Sequence, residues 1–517
     1  MTAWLAPDLS HPHAMEAFAE GAGTLHLGEE RWCRVRFLDT FDWRVHRGGF
    51  TLSWEAEPGA CKLLLRYLDG AAGTTVSPAG ASAPEWPDDL PEGHIRRSVA
   101  PLLGPRRLLT MGAAEVQRIP GSIQDDHGNL ILSLVWERWT PLTEDGSPTQ
   151  ASPWLLRLRG PRPRHPAVER GLAAIEQHPA LVDSPFSYFA ECCAVRHRRP
   201  RDYSSKVSLD LDPAQTAESA VRHILLHLLD TIRRNVPGTI ADLDVEFLHD
   251  LRVATRRSRS AISLLKAALP MEDIAPFRDE LKWLGTITGP CRDLDVWLMD
   301  MDGMRALLPT ASAAALDPFE TLLGAERRKA QRSLARQLRS ARFRALLEGW
   351  RAVLEGDPVS DAGTAAHRPI RVFARARILK VYRRIIKGGR ALGDDPPAAP
   401  LHELRIEAKK LRYLLEFFAG LDAAQQAPRL IKKLKTIQDV LGGFNDMEVQ
   451  QAGLRTFSSK LVEEGPPEPE TLLALGRLDG IMAAQQEAHR QAWCERFQAF
   501  DRDDIDAAFR SLLEGDA

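Results

Sequence analysis

Two short segments of this 517-residue chain place a histidine at the head of a row of cations: His249, Arg252, Arg256 and Arg259, and again His402, Arg405, Lys409 and Arg412. In both, the cations follow the histidine at steps of three, seven and ten residues, which fall on one face of a helix of 3.6-residue period. A third run, Arg377, Lys380, Arg384 and Lys387, repeats the spacing, and between Arg371 and Arg390 there are eight basic residues and no acidic one. Arginine and lysine give charge-assisted hydrogen bonds to phosphate oxygens, and arginine can offer two donors at once. Each histidine, at the head of its row, is a further donor. Such rows suit a long anion held by many cations in register.

The elements that must position these rows are duplicated. His402 follows His249 by 153 residues, and the same offset lays LKWLGTITGPCRDLDV, from Leu281, on LKTIQDVLGGFNDMEV, from Leu434. Carried backwards it sets His227 on Lys380 and Arg234 on Lys387. A unit of this length exceeds the roughly 20–50 residues of a solenoid repeat, so a duplicated helical bundle is expected. Its repeats span about 212–355 and 365–510, separated by the loop EGDPVSDAGTAAHRP.

Upstream the texture changes. Short alternating runs such as RWCRVRFLDT, GGFTLSWEAE and LILSLVWERW, broken by Gly, Pro, Asp and Asn, read as an antiparallel sheet or barrel. The period switches from 2 to 3.6 across AVRHRRPRDYSSKVSLD, which divides a β domain of residues 1–200 from a helical domain of residues 205–515. The expected class is α+β, multidomain, with a barrel-like first half and an all-α second half of two pseudo-symmetric repeats.

Composition bounds the partners. A net charge of −2 and a pI near 6.8 assign no polyanion ligand, so any cationic surface must come from local arrangement. Six cysteines without a CxxC pair read as reduced thiols, and neither a secretory signal nor a run of about 20 apolar residues occurs. A cytoplasmic protein without a membrane span is expected. The acidic residues Asp293, Asp295, Asp446 and Glu448 read as helix caps or arginine partners, so no metal and no other cofactor is expected. There is no nucleophile motif and no Gly-rich phosphate loop.

The doubled His-x-x-Arg pattern with cations one and two turns on, followed by RDLDV, resembles the CHAD family, the conserved histidine α-helical domain, over roughly residues 205 to 515. The resemblance implies a bundle of two pseudo-symmetric halves around a basic cavity that binds inorganic polyphosphate or related chains without catalysis. It makes polyphosphate granules a candidate place of association. The twelve residues of the three rows are then the expected contacts. A nucleic-acid backbone is an alternative partner, but Trp283, Trp297 and Tyr413, which base stacking would need, lie in apolar patterns.

RFLDTFDWRVHRGGFTLSWEAE is similar to the CYTH family, the triphosphate tunnel enzymes, over roughly residues 25 to 175. That resemblance implies an eight-stranded barrel lined by Lys and Arg for triphosphate and by Glu for a divalent metal. Alternation puts Arg34 with Arg36, Lys62 with Arg66, Arg157 with Arg159 and Glu55 with Glu57 on shared strand faces, as such a lumen would need. The family's opening Glu-x-Glu-x-Lys strand is absent from HAMEAFAEGAGTLHLGEE, so the expected domain is degenerate and non-catalytic. A retained metal-dependent triphosphatase is the alternative.

Overall fold

The computed structural model describes residues 3–6, 10–12, 23–69, 73–78, 80, 82–158, 169, 173, 181–183, 188–356, 365–393, 396–422 and 426–513. The chain divides into two compact units, Met1–Ser204 and Ser205–Ala517.

The first unit is one antiparallel sheet that curls as a half-barrel. Its strands are β1 (Ala3–Ala6), β2 (Thr24–Leu27), β3 (Arg31–Asp39), β4 (Phe50–Glu57), β5 (Ala60–Tyr67), β6 (Thr74–Val76), β7 (Leu109–Gln124), β8 (Leu130–Pro141), β9 (Trp154–Leu158) and β10 (Val182–Asp183). They run in the order β10-β1-β9-β8-β7-β3-β4-β5-β6, with β2 also on β7. Among the described residues nothing pairs β6 with β10, so ten strands form an open sheet where the resemblance implied a closed barrel of eight. Three short helices, α1 (Arg44–Arg47), α2 (His94–Leu103) and α3 (Tyr188–Ala194), complete the unit. Strand β3 shows why the sheet has two distinct faces: Cys33, Val35 and Phe37 are buried while Arg34 and Arg36 between them are exposed.

The second unit is helical: α4 (Ala217–Ala241), α5 (Val245–Leu265), α6 (Met271–Ile287), α7 (Gly289–Met299), α8 (Met301–Ala306), α9 (Asp317–Leu338), α10 (Ala341–Glu355), α11 (Ile370–Arg390), α12 (Ala398–Phe417), α13 (Gln426–Glu464), α14 (Pro469–Phe500) and α15 (Asp503–Ser511). The turn from α4 into α5 is built locally. Asp242 closes α4 in the left-handed region at φ 54°, and the Asp244 carboxylate accepts hydrogen bonds from the Glu246 and Phe247 amides at 3.0 and 3.3 Å. Phe247 then lies flat on Gly238, where a Cβ would stand 2.3 Å from its ring, so α5 approaches α4 closely. The apolar face of α5 (Leu248, Leu251, Ile262, Leu265) and that of α12 (Leu401, Leu404, Leu411, Leu415) enter one continuous core, and the two helices pack on each other. Leu248 and Leu251 correspond to Leu401 and Leu404 across the 153-residue offset. Burying these faces leaves the cationic faces as the opposite sides of both helices.

Candidate anion-binding site

The first arginine of each row is tied to its own half. Arg252 Nη1 donates to the Gly285 carbonyl at 3.2 Å and to Thr288 Oγ1 at 3.1 Å, and its Nη2 lies 4.0 Å from Asp293. Arg405 Nη2 lies 3.3 Å from Asp446, the residue that corresponds to Asp293, and both arginine side chains are 18% exposed. The histidines diverge. His402 Nδ1 is 2.9 Å from Asn445 Oδ1, whereas the equivalent position beside His249 is Arg292. Burial and then the Arg292 charge hold the His249 imidazole below its ordinary pKa, which opposes the donor role expected of it in the ligand-free protein.

Past these anchors the two rows converge on a cavity of about 690 Å³. Helix α5 contributes Arg256 and Arg259, and α12 contributes Arg405, Lys409 and Lys410. Burial pushes the Lys409 amine down to about 8, and Arg405, Arg256 and Arg412 add to the shift while Asp446 opposes it. Arg256 belongs to the first half and Lys409 to the second, so the halves press like charge together at this point. Among the described residues no ion pair holds Arg256, Arg259 or Lys409. Arg412 lies behind them: its Nη1 is 3.5 Å from Gln438 Oε1, and Glu416 joins it at 3.4 Å to Arg257 of the first half at 2.7 Å.

Residues 223–455 match the family model described as the CHAD domain. The helical unit contains a CHAD domain. Two uncharacterized proteins of Mycobacterium tuberculosis, from different strains, are each 28% identical to the chain over 215 residues, covering 40% of it and 39% of the relative. The match therefore spans well under half the length of these curated relatives. Among solved structures, the CHAD domain of the plant Ricinus communis is 29% identical with a TM-score of 0.46, covering 59% of this chain and 96% of that one. PptA from Streptomyces chartreusis is 19% identical with a TM-score of 0.43, covering 55% and 99% respectively.

The CHAD cavity has a third wall that the histidine rows do not announce. Helix α6 supplies Arg278 and Lys282, with Asp279 as the acid among them. Arg278 is masked in the sequence by the adjacent Asp279 and Glu280, but Lys282 falls on Lys435 in the repeat and was open to detection there. Tyr413 also lines the cavity, between the Arg257 and Arg412 guanidiniums at 5.9 and 5.7 Å, so it stands among the cations and not in a purely apolar setting. It is 3% exposed, which leaves its ring unavailable for base stacking.

The third row stands apart from the cavity lining. On α11, Lys380, Arg384 and Lys387 are exposed and Arg377 is half-buried over the Phe373 ring at 4.9 Å. Arg384 is 3.8 Å from Glu407 of α12, which also binds Lys410 at 2.5 Å. The acidic residues of the RDLDV segment and its repeat serve arginines: Asp293 and Asp446 as above, and Asp295 with Arg327 at 2.8 Å. Among the described residues no group of three His, Cys, Asp or Glu is placed to hold a metal.

The half-barrel, with which a CYTH-like resemblance is consistent, also gathers charges. Register decides which. Val35 faces Glu55, Glu55 faces Lys62, and Arg118 faces Glu137 across the ladders, so these share one face, while Arg34 pairs with Ala56 on the other. Arg34 and Arg36 therefore lie on the face opposite Lys62, Arg66 and Glu55, so one lumen cannot hold both sets; Arg34 pairs with Glu115 at 2.7 Å. Arg118 bridges Glu55 at 2.6 Å and Glu137 at 2.9 Å, with Arg66 at 3.4 Å from Glu55, Lys62 at 3.6 Å from Glu57 and Arg157 at 3.2 Å from Glu137. Burial would raise the Glu55 carboxyl, but Arg118 and Arg66 bring it below its ordinary pKa. Arg159 and residues 13–22, part of the segment where the family's acidic strand would fall, lie outside the described residues.

Proposed function

We propose that the CHAD domain binds inorganic polyphosphate or a related polyphosphorylated chain without hydrolysing it. The observation that carries this reading is the cavity of about 690 Å³ in which Arg256, Arg259, Arg278, Lys282 and Lys409 converge, among the described residues, without an ion-pair partner. Cations held this close raise one another's free energy, and an anion that threads between them relieves it. A phosphate chain repeats its charge along its length, as the rows repeat theirs along a helix. His249, Arg252, Arg405, His402 and Arg412 surround that core as anchors and outer contacts, and the α11 row extends it.

The non-catalytic part of the reading rests on the half-barrel, whose Lys62, Arg66, Arg118 and Arg157 already meet Glu55, Glu57 and Glu137. A triphosphate and metal would have to displace these pairs. The reading carries with it a cytoplasmic setting and association with polyphosphate granules. No helix among the described residues is long and apolar enough to cross a membrane.

The test is direct. The purified full chain is incubated with tripolyphosphate, long-chain polyphosphate and single-stranded DNA, with and without magnesium, and both binding and phosphate release are measured. Tight binding of the phosphate chains without release is expected. Metal-dependent release would overturn the non-catalytic reading, and preference for DNA would overturn the ligand.

A further inference from the structure

Resting on that reading, we infer that the exposed cationic strip of α11 is a second binding segment, outside the cavity, which takes the part of a long phosphate chain that the cavity cannot hold. The protein then selects for chain length. A short oligophosphate is served by the cavity alone, and a long one by cavity and strip together.

Three observations support this. The strip from Arg377 to Lys387 runs for about 15 Å along the helix at 1.5 Å per residue, too long for contact with a single small anion. It is also internally repulsive. Lys380 with Arg384 and Arg383 with Lys387 are like charges four residues apart, a spacing that destabilises a helix unless a counter-charge is supplied. Among the described residues Lys380, Arg383 and Lys387 have no ion pair, and Arg384 has only the 3.8 Å approach to Glu407. The helix dipole accounts for Lys387 and Arg390 in the last turn but not for Arg377, Lys380 and Arg384 in the middle. Arg390 in any case has its own partner in Asp501 at 2.6 Å.

The third observation is continuity. Lys410 lines the cavity and binds Glu407, and Glu407 is the residue that Arg384 approaches. One carboxylate is thus all that intervenes between the last cavity cation and the middle of the strip. A chain leaving the cavity at Lys410 meets Arg384 next, and can follow α11 in either direction.

The experiment uses the full chain in three forms: wild type, a strip variant (Lys380→Ala, Arg384→Ala and Lys387→Ala together) and a cavity variant (Arg256→Ala with Lys409→Ala). Each is titrated with tripolyphosphate and with a long-chain preparation over a range of salt. The strip variant is expected to bind tripolyphosphate as the wild type does and to lose about tenfold in affinity for the long chain, with a shallower salt dependence for the long chain only. The cavity variant should lose both. Equal losses for both ligands in the strip variant, or no loss for either, overturn the strip while leaving the cavity reading intact. Failure of the wild type to bind either ligand overturns both. Circular dichroism and thermal unfolding of the strip variant separate a binding defect from a folding one, and a melting temperature at or above that of the wild type is expected because repulsion has been removed.

Discussion

The half-barrel and the CHAD cavity are built from the same side chains and use them in opposite ways. In the sheet, buried carboxylates are met by cations from other strands: Glu55 by Arg118 and Arg66, Glu137 by Arg118 and Arg157. In the cavity, helices from two halves of the chain bring Arg256 against Lys409; Asp446 and Glu407 nearby are already engaged by Arg405 and Lys410, and among the described residues Asp279 is the one acid in the lining. Paired charge contributes to a fold; unpaired, crowded charge costs stability and is available to a ligand. The number of arginines in a region therefore says little about ligand binding until their partners are known.

The largest effect that would sharpen this contrast is on stability. Replacing Arg118 by Ala leaves Glu55 and Glu137, each about nine-tenths or more buried, without their central partner and should cost about 3–5 kcal/mol in the unfolding of the first unit. Polyphosphate binding should be unchanged. If denaturant unfolding showed no loss, the pairs would be ornamental and the contrast would fail.

Next in size is ligand affinity. Arg256→Ala should weaken polyphosphate binding by on the order of 1.5–3 kcal/mol, read by calorimetry, and Lys409→Ala should do about the same. Combining Arg252, Arg256, Arg405 and Lys409 replacements should nearly abolish binding. The comparison set is the exposed pair Arg328 and Lys329, whose replacement should change little. Arg327 does not belong in that set, because it is held by Asp295 at 2.8 Å and by Asp242 at 2.6 Å and its loss would disturb the fold. Equal losses from both sets would mean general charge attraction in place of a site.

A smaller effect distinguishes the regions by sign. Lys409→Met should stabilise the helical unit by about 1 kcal/mol at neutral pH, since it removes a charge that the fold disfavours. The folded-state amine titrates near 8 against an ordinary 10.5, so the wild type bears this cost in full below pH 8 and sheds it as pH rises towards 10.5. The stability difference between variant and wild type should close over that window. No removal of a cation from the half-barrel cluster should stabilise anything.

The smallest expected effect is on the pH dependence of binding. A phosphate chain raises the Lys409 pKa, so affinity should be level below about pH 8 and decline above it as the unliganded amine loses its proton. A decline already complete by pH 7 would point to the histidines instead.

How much of this was legible before the structure depends on the length scale of the interaction. Spacings of three, four and seven residues are local, and they placed His249, Arg252, Arg256 and Arg259 on one face of α5 without further information. The sheet and helix classes followed from period in the same way. What could not be read was which faces meet. Arg34 and Lys62 look equally suited to a lumen, and only the register of β3 on β4 and β4 on β5 separates them. Arg278 is a cavity residue because α6 packs beside α5, a fact carried by no spacing, whereas Lys282 had its counterpart Lys435 in the repeat to mark it. The α11 row shared the period of the other two yet stands outside the cavity lining, because an identical pattern says nothing of where a helix is docked.

The packing of α5 on α12 across a shared core makes each half the cover of the other. A half cut out alone would expose the apolar face of its histidine helix, so the two should fold together and not in turn. Their sequences differ across the offset, with Arg292 against Asn445 and Arg278 against Ile431, and these differences give the cavity a direction, one end distinguishable from the other.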